Sequence, residues 1–231
     1  MKTIVYSCVT GRYDDVLKTL LASEAVPEEN VEYILFTDRK PPAGGWESVT
    51  QGTAWSIRDL RWKHKLCNVR TARWHKINSH MALPEHNYSI WIDGSQKIKK
   101  VKLAELLVKA MGSAGLATFQ HPQRNCVYQE MKACERLKKD SPAIMLKQIE
   151  NYRSAGYPPY NGLVETACVV RENCRKTNTF NRAWYDLLSK YSRRDQLGFN
   201  YAAWLVEISY NQIEGSRASS PYFSFHHHHR G

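Results

Sequence analysis

Three polar residues stand directly after apolar runs: Asp38 ends "VEYILFTD", Asp93 follows "YSIWI" and precedes Gly94, and His121 closes "GLATFQH". A buried strand holds the next side chain rigidly, and a carboxylate held that way can take a divalent cation or accept from a sugar hydroxyl. Asp-Gly is also a common turn pair, so Asp93 has a structural reading as well. Two further acids have good context, Glu165 in "GLVET" and Asp195 in "SRRDQ", and His121 is followed by Arg124 and Glu130 in "HPQRNCVYQE". Arg70, Arg73 and Lys76 recur at a spacing of three. On a helix this spacing places them together on one face, either as an anion site or as a solvated basic face.

The elements that must position these residues alternate. "TIVYSC" reads as a strand, "DVLKTLLASEAV" as a helix closed by Pro27, and "VEYILFTD" as a second strand. That order predicts an α/β fold with a mostly parallel central sheet flanked by helices, in which ligands bind beyond the carboxyl ends of the strands. "YSIWID", "GLATFQHP" and "LVETACVVRE" supply three more strands. Residues 55–83 contain no glycine or proline and read as one or two basic helices, or a helix and a loop. Further helices are read in "KLAELLVKAM", "CVYQEMKACERLKK", "NTFNRAWYDLLSKY" and "RDQLGFNYAAWLVE". In "SPAIMLKQIENYRSAG" Ser141 stands as N-cap, Pro142 at the first helical position and Gly156 past the end. One domain over 1–225 is expected, followed by a histidine-rich tail over 226–231 whose four histidines read either as native or as a purification tag.

Composition narrows the function classes. A net charge of +11 favours anionic partners, whether nucleic acid, anionic lipid or a phosphorylated small molecule. Six scattered cysteines without a C-x-x-C pair argue against a zinc ribbon or a disulfide framework. No apolar run approaches the roughly 20 residues of a membrane span, and the N-terminus reads as a strand rather than a signal peptide, so a cytoplasmic location is the expectation. The Trp/Arg/Lys-rich stretch 55–76 would also suit a nucleic-acid-binding protein, although no recognised binding motif accompanies it.

Taken in order, "VTGRYDD", "FTD", the basic stretch leading into "YSIWIDG", "HPQRNCVYQE", "GLVETACVVR" and "SRRDQLGFNY" resemble a glycosyltransferase-like family once of unknown function, related to plant turgor-regulation and seed-mucilage proteins. The resemblance implies a single GT-A-like (Rossmann-like) domain, a nucleotide-sugar donor such as a UDP-sugar, a glycan or lipid acceptor that the basic surface would suit if anionic, and Mn²⁺ or Mg²⁺. Metal-dependent GT-A enzymes commonly carry Asp-x-Asp after this strand, whereas here the triplet is Asp93-Gly94-Ser95. The resemblance therefore leaves Asp93 as the carboxylate ligand, with His226 or His228 of the tail as the imidazole that replaces the second Asp. It places Thr10, Tyr13 and Asp38 around the nucleoside, Arg70, Arg73 and Lys76 near the diphosphate, and His121 and Arg124 in the donor or acceptor pocket. "DQLGFN" resembles an Asp-Gln segment that opens a helix beside the donor sugar in several retaining transferases, which assigns Asp195 and Gln196 to the donor sugar. Arg194 is assigned to Asp195 or to an acidic acceptor, and Glu165 to the acceptor. A transferase fold that binds nucleotide without turnover is the third reading.

Overall fold

All seven residues of "TIVYSCV" are buried, and they alternate between two cores: Ile4, Tyr6 and Cys8 pack on one side of the sheet, Val5 and Val9 on the other. Burial on both faces is why this strand reads as a continuous apolar run rather than an alternating one. It is β1 (Thr3–Val9) of a chain that continues α1 (Asp14–Leu21), β2 (Val31–Thr37), α2 (Glu47–Thr50), β3 (Trp55–Asp59), α3 (Asn68–Ile77), α4 (Ser79–Ala82), β4 (Tyr88–Ile92), β5 (Gln96–Ile98), α5 (Leu103–Met111), β6 (Leu116–Gln120), α6 (Val127–Arg136), α7 (Pro142–Ser154), β7 (Val164–Glu172), α8 (Arg175–Lys190), α9 (Gln196–Leu205), β8 (Asn211–Ile213) and β9 (Phe223–Phe225). This computed structural model describes residues 1–11 and 14–226, apart from the side chains of 14–16.

The main sheet has the order β3-β2-β1-β4-β7-β6-β8. Its neighbours pair in parallel except at β7, which runs antiparallel to both β4 and β6. Thr10, Asp38, Asp93 and His121 follow the ends of β1, β2, β4 and β6, so they share one edge of the sheet. The reversal of β7 carries Glu165 and Thr166, near its start, to that same edge. Asp93 N–H continues the β4–β7 ladder to Ala167 O at 2.7 Å, and His121 N–H continues the β6–β7 ladder to Leu163 O at 2.9 Å. The β6–β7 register shifts between Thr118, opposite Val169, and Phe119, opposite Glu165. Irregularities of this kind re-aim side chains, and this one turns Thr166 toward the middle of the edge.

One expectation is corrected. Residues 55–59 form β3, paired with β2 through Tyr33 opposite Trp55, and only 68–77 is a long helix. The lack of glycine and proline in 55–83 concealed the break, while the cue to a strand was the alternation of buried Trp55 and half-buried Ile57 with more polar residues. In α7 Pro142 stands at the first position and Gly156 takes φ +77 past the end, but Ser141 makes no side-chain cap. All six cysteines are free thiols. No described helix is long and apolar enough to cross a membrane.

Candidate functional site

The shared edge opens into two cavities. The first, about 220 Å³, lies among Thr10, Asn68, Ala72, Trp91, Gly94 and Ser95. The second, about 240 Å³, lies among His121, Arg124, Glu165, Thr166, Asp195 and Arg217. Arg73 and Asp93 line both, so the cavities are two arms of one cleft that meet at this pair.

Four charges meet there. Asp93 Oδ1 accepts from Trp91 Nε1 at 2.7 Å, from Arg73 at 3.2 Å and from Lys76 Nζ at 3.3 Å. Asp195 Oδ2 takes Lys76 Nζ at 2.6 Å and the Thr166 hydroxyl at 2.7 Å. Its Oδ1 lies 2.9 Å from Arg73 Nε, an ion pair whose N–H is not aligned as a hydrogen bond. Lys76 Nζ closes the ring on Thr166 Oγ1 at 3.0 Å. Burial alone would raise the Asp195 pKa, but Arg73 and Lys76 outweigh it and hold the carboxyl well below the usual range. Asp195 is therefore a fixed anion in the cleft floor. It stands as N-cap of α9, yet its side chain does not cap the helix and turns to the cations instead.

Glu165 is perturbed in the opposite direction. Burial raises its pKa, partly offset by Arg217, whose backbone N–H donates to Oε2 at 3.1 Å and whose Nε lies 3.3 Å from Oε1. Beside it, Arg124 Nε donates to Glu130 at 2.7 Å. His121 Nδ1 accepts the backbone N–H groups of Gln123 and Arg124, both at 3.1 Å. Burial lowers the His121 pKa, with Glu130 opposing and Arg124 reinforcing the shift, so the ring is a neutral wall of the second cavity. Arg194 donates to Gln196 at 3.3 Å on the same wall.

The cleft thus brings together Thr10, Arg73, Asp93, His121, Arg124, Glu165, Arg194, Asp195 and Gln196. It does not bring in Arg70. A helix turns about 100° per residue, so a spacing of three drifts by about 60° each step and Arg70 ends about 120° from Lys76. Arg70 caps the end of α8 instead, donating to the carbonyls of Leu188 and Tyr191. Lys76 is wholly buried beneath the two carboxylates, which places it behind the cleft as a support for them rather than at its surface. Asp38 lines neither cavity among the described residues. It accepts from Gly11 N–H at 3.0 Å and pairs with Lys63 at 3.0 Å. Asp38 thereby sets the turn after β1, where Gly11 takes φ +72 and an added Cβ would come within 2.4 Å of Asn68. Thr10 does border the first cavity, its hydroxyl donating to Asn68 O at 3.1 Å. Tyr13 and His228 lie outside the described residues.

His226 is exposed, and its backbone N–H donates to Ser95 O at 2.9 Å, extending the pairing of β5 with β9. His226 is thereby delivered beside Asp93-Gly94-Ser95. Asp93 Oδ2 accepts no hydrogen bond among the described residues, and no group of three or more His, Cys, Asp or Glu able to hold a metal occurs among them. One carboxylate oxygen and one imidazole suit a divalent cation that takes its remaining ligands from phosphates and water.

Sequence reading overlooked Trp91, Thr166 and Arg217. Trp91 was within reach, because two residues along a strand return to the same face. Thr166 depends on the register shift in β7, and Arg217 comes from a distant loop, so neither has a local signal.

Helix α3 carries both cations of the quartet and is clamped at its far end by buried Arg171, which donates to Lys76 O at 2.7 Å and Ile77 O at 3.1 Å. Its His75 accepts Arg61 N–H through Nε2 at 3.0 Å and sits with Nδ1 2.9 Å from Thr71 O. Burial holds the His75 pKa down to about 4, and burial also drives His80 to about 4. The folded state refuses a proton that the unfolded chain accepts from its ordinary pKa downward. Stability is therefore complete above about pH 6.5 and is lost as pH falls toward 4, His75 alone accounting for about 3 kcal/mol. Urea midpoints measured at pH 7.5, 6 and 5 should fall in that order, and equal midpoints would contradict this reading of α3.

Residues 1–214 match the family described as TOD1/MUCI70, glycosyltransferase-like domain. Among curated proteins, the chain is 24% identical over 212 residues to "Probable hexosyltransferase MUCI70" of Arabidopsis thaliana, covering 85% of this chain and 36% of that protein, so it spans about a third of its relative's length. Among solved structures, it superposes on the apo form of the bifunctional glycosyltransferase WbbM with a TM-score of 0.55, 12% identity and coverage of 87% of this chain and 37% of that one. Apo GlyE of Streptococcus pneumoniae TIGR4 follows with a TM-score of 0.51, 15% identity and coverage of 92% and 45%. These likenesses agree with the GT-A-like fold that the strand order displays. The chain belongs to the TOD1/MUCI70 glycosyltransferase-like domain family.

Proposed function

We propose that the chain transfers a hexosyl group from a nucleoside-diphosphate sugar, a UDP-sugar first among them, to a glycan hydroxyl. The observation that carries this reading is the pair Arg73 and Asp93, standing where the two arms of the cleft meet. The first arm takes the nucleotide, with the diphosphate at the start of α3, since a helix N-terminus favours anions. Arg73, partly exposed and flanked by carboxylates that keep it charged, faces the charge that develops on the leaving diphosphate.

The second arm takes the sugar and the acceptor. Two carboxylates whose environments push their pKa values apart mark a division of labour. Glu165, raised by burial, is the stronger base and receives the proton of the acceptor hydroxyl. Asp195 stays ionised and stabilises positive charge at the anomeric carbon, while Lys76 and Thr166 hold it in place. Mn²⁺ or Mg²⁺ would be held by Asp93 and His226, and would supply further positive charge to the diphosphate.

Incubation with UDP-, GDP- and CMP-sugars should release free nucleotide from one donor class, more with Mn²⁺ than with EDTA. Asp93→Asn combined with His226→Ala should abolish the metal effect. No release from any donor, with or without an acceptor glycan, would contradict the reading.

The basic stretch 55–76 does not form the continuous face that nucleic acid would need. It is divided among a strand, a loop and a helix, with Lys76 buried and Arg73 engaged by carboxylates.

A further inference from the structure

The second arm of the cleft is bordered by the loop between β8 and β9, which stands past residue 214, where the match to the family ends. This loop brings one residue into the cavity lining, Arg217, and sets it against Glu165. We propose that Arg217 is a positioning residue, a clamp that fixes the orientation and the charge of the Glu165 carboxylate; the proposal rests on the transfer reading above, in which Glu165 is the base.

Arg217 is held by both of its backbone polar groups. Its N–H donates to Glu165 Oε2 at 3.1 Å, and its carbonyl accepts from Gln96 Nε2 at 3.1 Å. Gln96 is itself wholly buried. The loop also closes on itself: Ser216 N–H donates to Ser219 O at 2.7 Å, and a Cβ on Gly215, at φ +88, would come within 2.3 Å of that same oxygen. Lys99 Nζ donates to Ser220 O at 2.6 Å. A loop pinned at so many points presents its side chain with little freedom. The guanidinium is gripped on two sides, with Nε 3.3 Å from Glu165 Oε1 and Cζ 5.1 Å from the centroid of the Phe225 ring. One residue thus engages both oxygens of Glu165, by backbone and by side chain. The carboxylate plane is set, and each oxygen keeps a lone pair for the acceptor's proton.

Charge points the same way. Burial favours the neutral acid at Glu165, and Arg217 opposes it through its N–H and its guanidinium. The other charged groups nearest Glu165 are Glu130 of α6, which reinforces burial, and Arg124, which opposes it; His121 beside them is neutral. Across the cavity stand Arg73 of α3, Asp93 after β4, Lys139 after α6, and Arg194 and Asp195 ahead of α9. Arg124 is taken by Glu130 at 2.7 Å, and Arg73 by Asp93 and Asp195. Arg217 is the cation paired with Glu165 itself.

The test is the pH profile of nucleotide release from the donor, read beside a carbon-13 NMR titration of the Glu165 carboxyl, on the whole chain and on Arg217→Gln and Arg217→Lys. In Arg217→Gln the Glu165 midpoint and the acid limb of the rate should both move to higher pH, since the charge that favours the carboxylate is gone. On the high-pH plateau kcat should fall on the order of tenfold through lost orientation, with KM for the donor changed by less than about twofold. Arg217→Lys keeps the charge but not the planar fork, so its midpoint should return toward wild type while kcat recovers only in part. The Arg217 side chain is 53% exposed, so salt at about 1 M should shrink the difference between wild type and Arg217→Gln.

A folded Arg217→Gln with an unmoved midpoint would overturn the clamp. So would a lower kcat with the acid limb in place, the mark of a merely structural loop, or a rise in KM alone, the mark of a substrate contact. If Arg217→Gln fails to fold, Arg217→Lys and the salt dependence of the wild-type midpoint carry the same test. A midpoint moved by Arg217→Gln in a chain that releases nucleotide from no donor removes the transfer reading and leaves the clamp standing. Release with midpoint and limb unmoved does the reverse.

Discussion

Asp195→Asn is expected to lower the unfolding free energy by about 3–5 kcal/mol, because it strips a wholly buried lysine of its closest counter-charge. Lys76 Nζ would keep Thr166, the longer contact to Asp93 at 3.3 Å and the Trp91 ring, whose centroid lies 5.7 Å away. Transfer should fall by on the order of 10²–10³-fold, the usual size for removal of one preorganised electrostatic group. The two losses have different sources and can be separated. Adding Lys76→Met replaces the stranded ammonium with an apolar chain of similar length, so the double variant should regain much of the stability and none of the activity. Urea melts and initial rates on the three proteins check this. Recovery of activity together with stability would mean that Asp195 serves the fold alone. Acid provides a second check: the depressed Asp195 pKa contributes stability that is present above about pH 4 and lost as pH falls further. That loss should shrink in the double variant.

Asp93→Asn is the second large effect, and its profile should be the reverse. An amide oxygen can still accept from Trp91 Nε1 and Lys76 Nζ, and the Asp93 side chain is 25% exposed, so unfolding should shift by no more than about 1–3 kcal/mol. The lost negative charge unbalances the quartet, leaving Arg73 and Lys76 to share Asp195, and takes away a carboxylate oxygen, Oδ2, that accepts no hydrogen bond among the described residues. Nucleotide release should drop by roughly 10²–10³-fold, and the Mn²⁺-dependent rise in Tm with nucleoside diphosphate should disappear. Wild-type activity in this variant would show that Asp93 is only the first residue of a turn.

These contrasts show how far the sequence can be read and where it stops. Asp38 and Asp93 look alike in one dimension, each ending a buried strand. Sheet order separates them: β4 lies between β1 and β7, at the centre of the edge, whereas β2 lies on the outer side of β1. Its carboxylate is taken by Gly11 and Lys63. The spacing of Arg70, Arg73 and Lys76 predicted the helix correctly but not which of its turns would face the cleft, because neighbouring α8 claims Arg70. The β5–β9 pair joins Gln96 to Phe225, a contact without any local signature since it spans most of the chain. The same pairing brings His226 back beside Ser95. The long apolar strands were legible because burial on both faces leaves an unbroken composition signal. The buried polar hub at Lys76, Thr166 and Asp195 was not, because its members meet only through tertiary structure.

The most direct measurement of the central claim is a crystal structure of the chain with a nucleoside diphosphate and Mn²⁺. The account predicts the nucleoside in the cavity beside Thr10 and Asn68, with the diphosphate within hydrogen-bond reach of Arg73 and the metal on Asp93. A nucleotide bound on another surface, with the junction of Arg73 and Asp93 empty at saturating concentration, would contradict it.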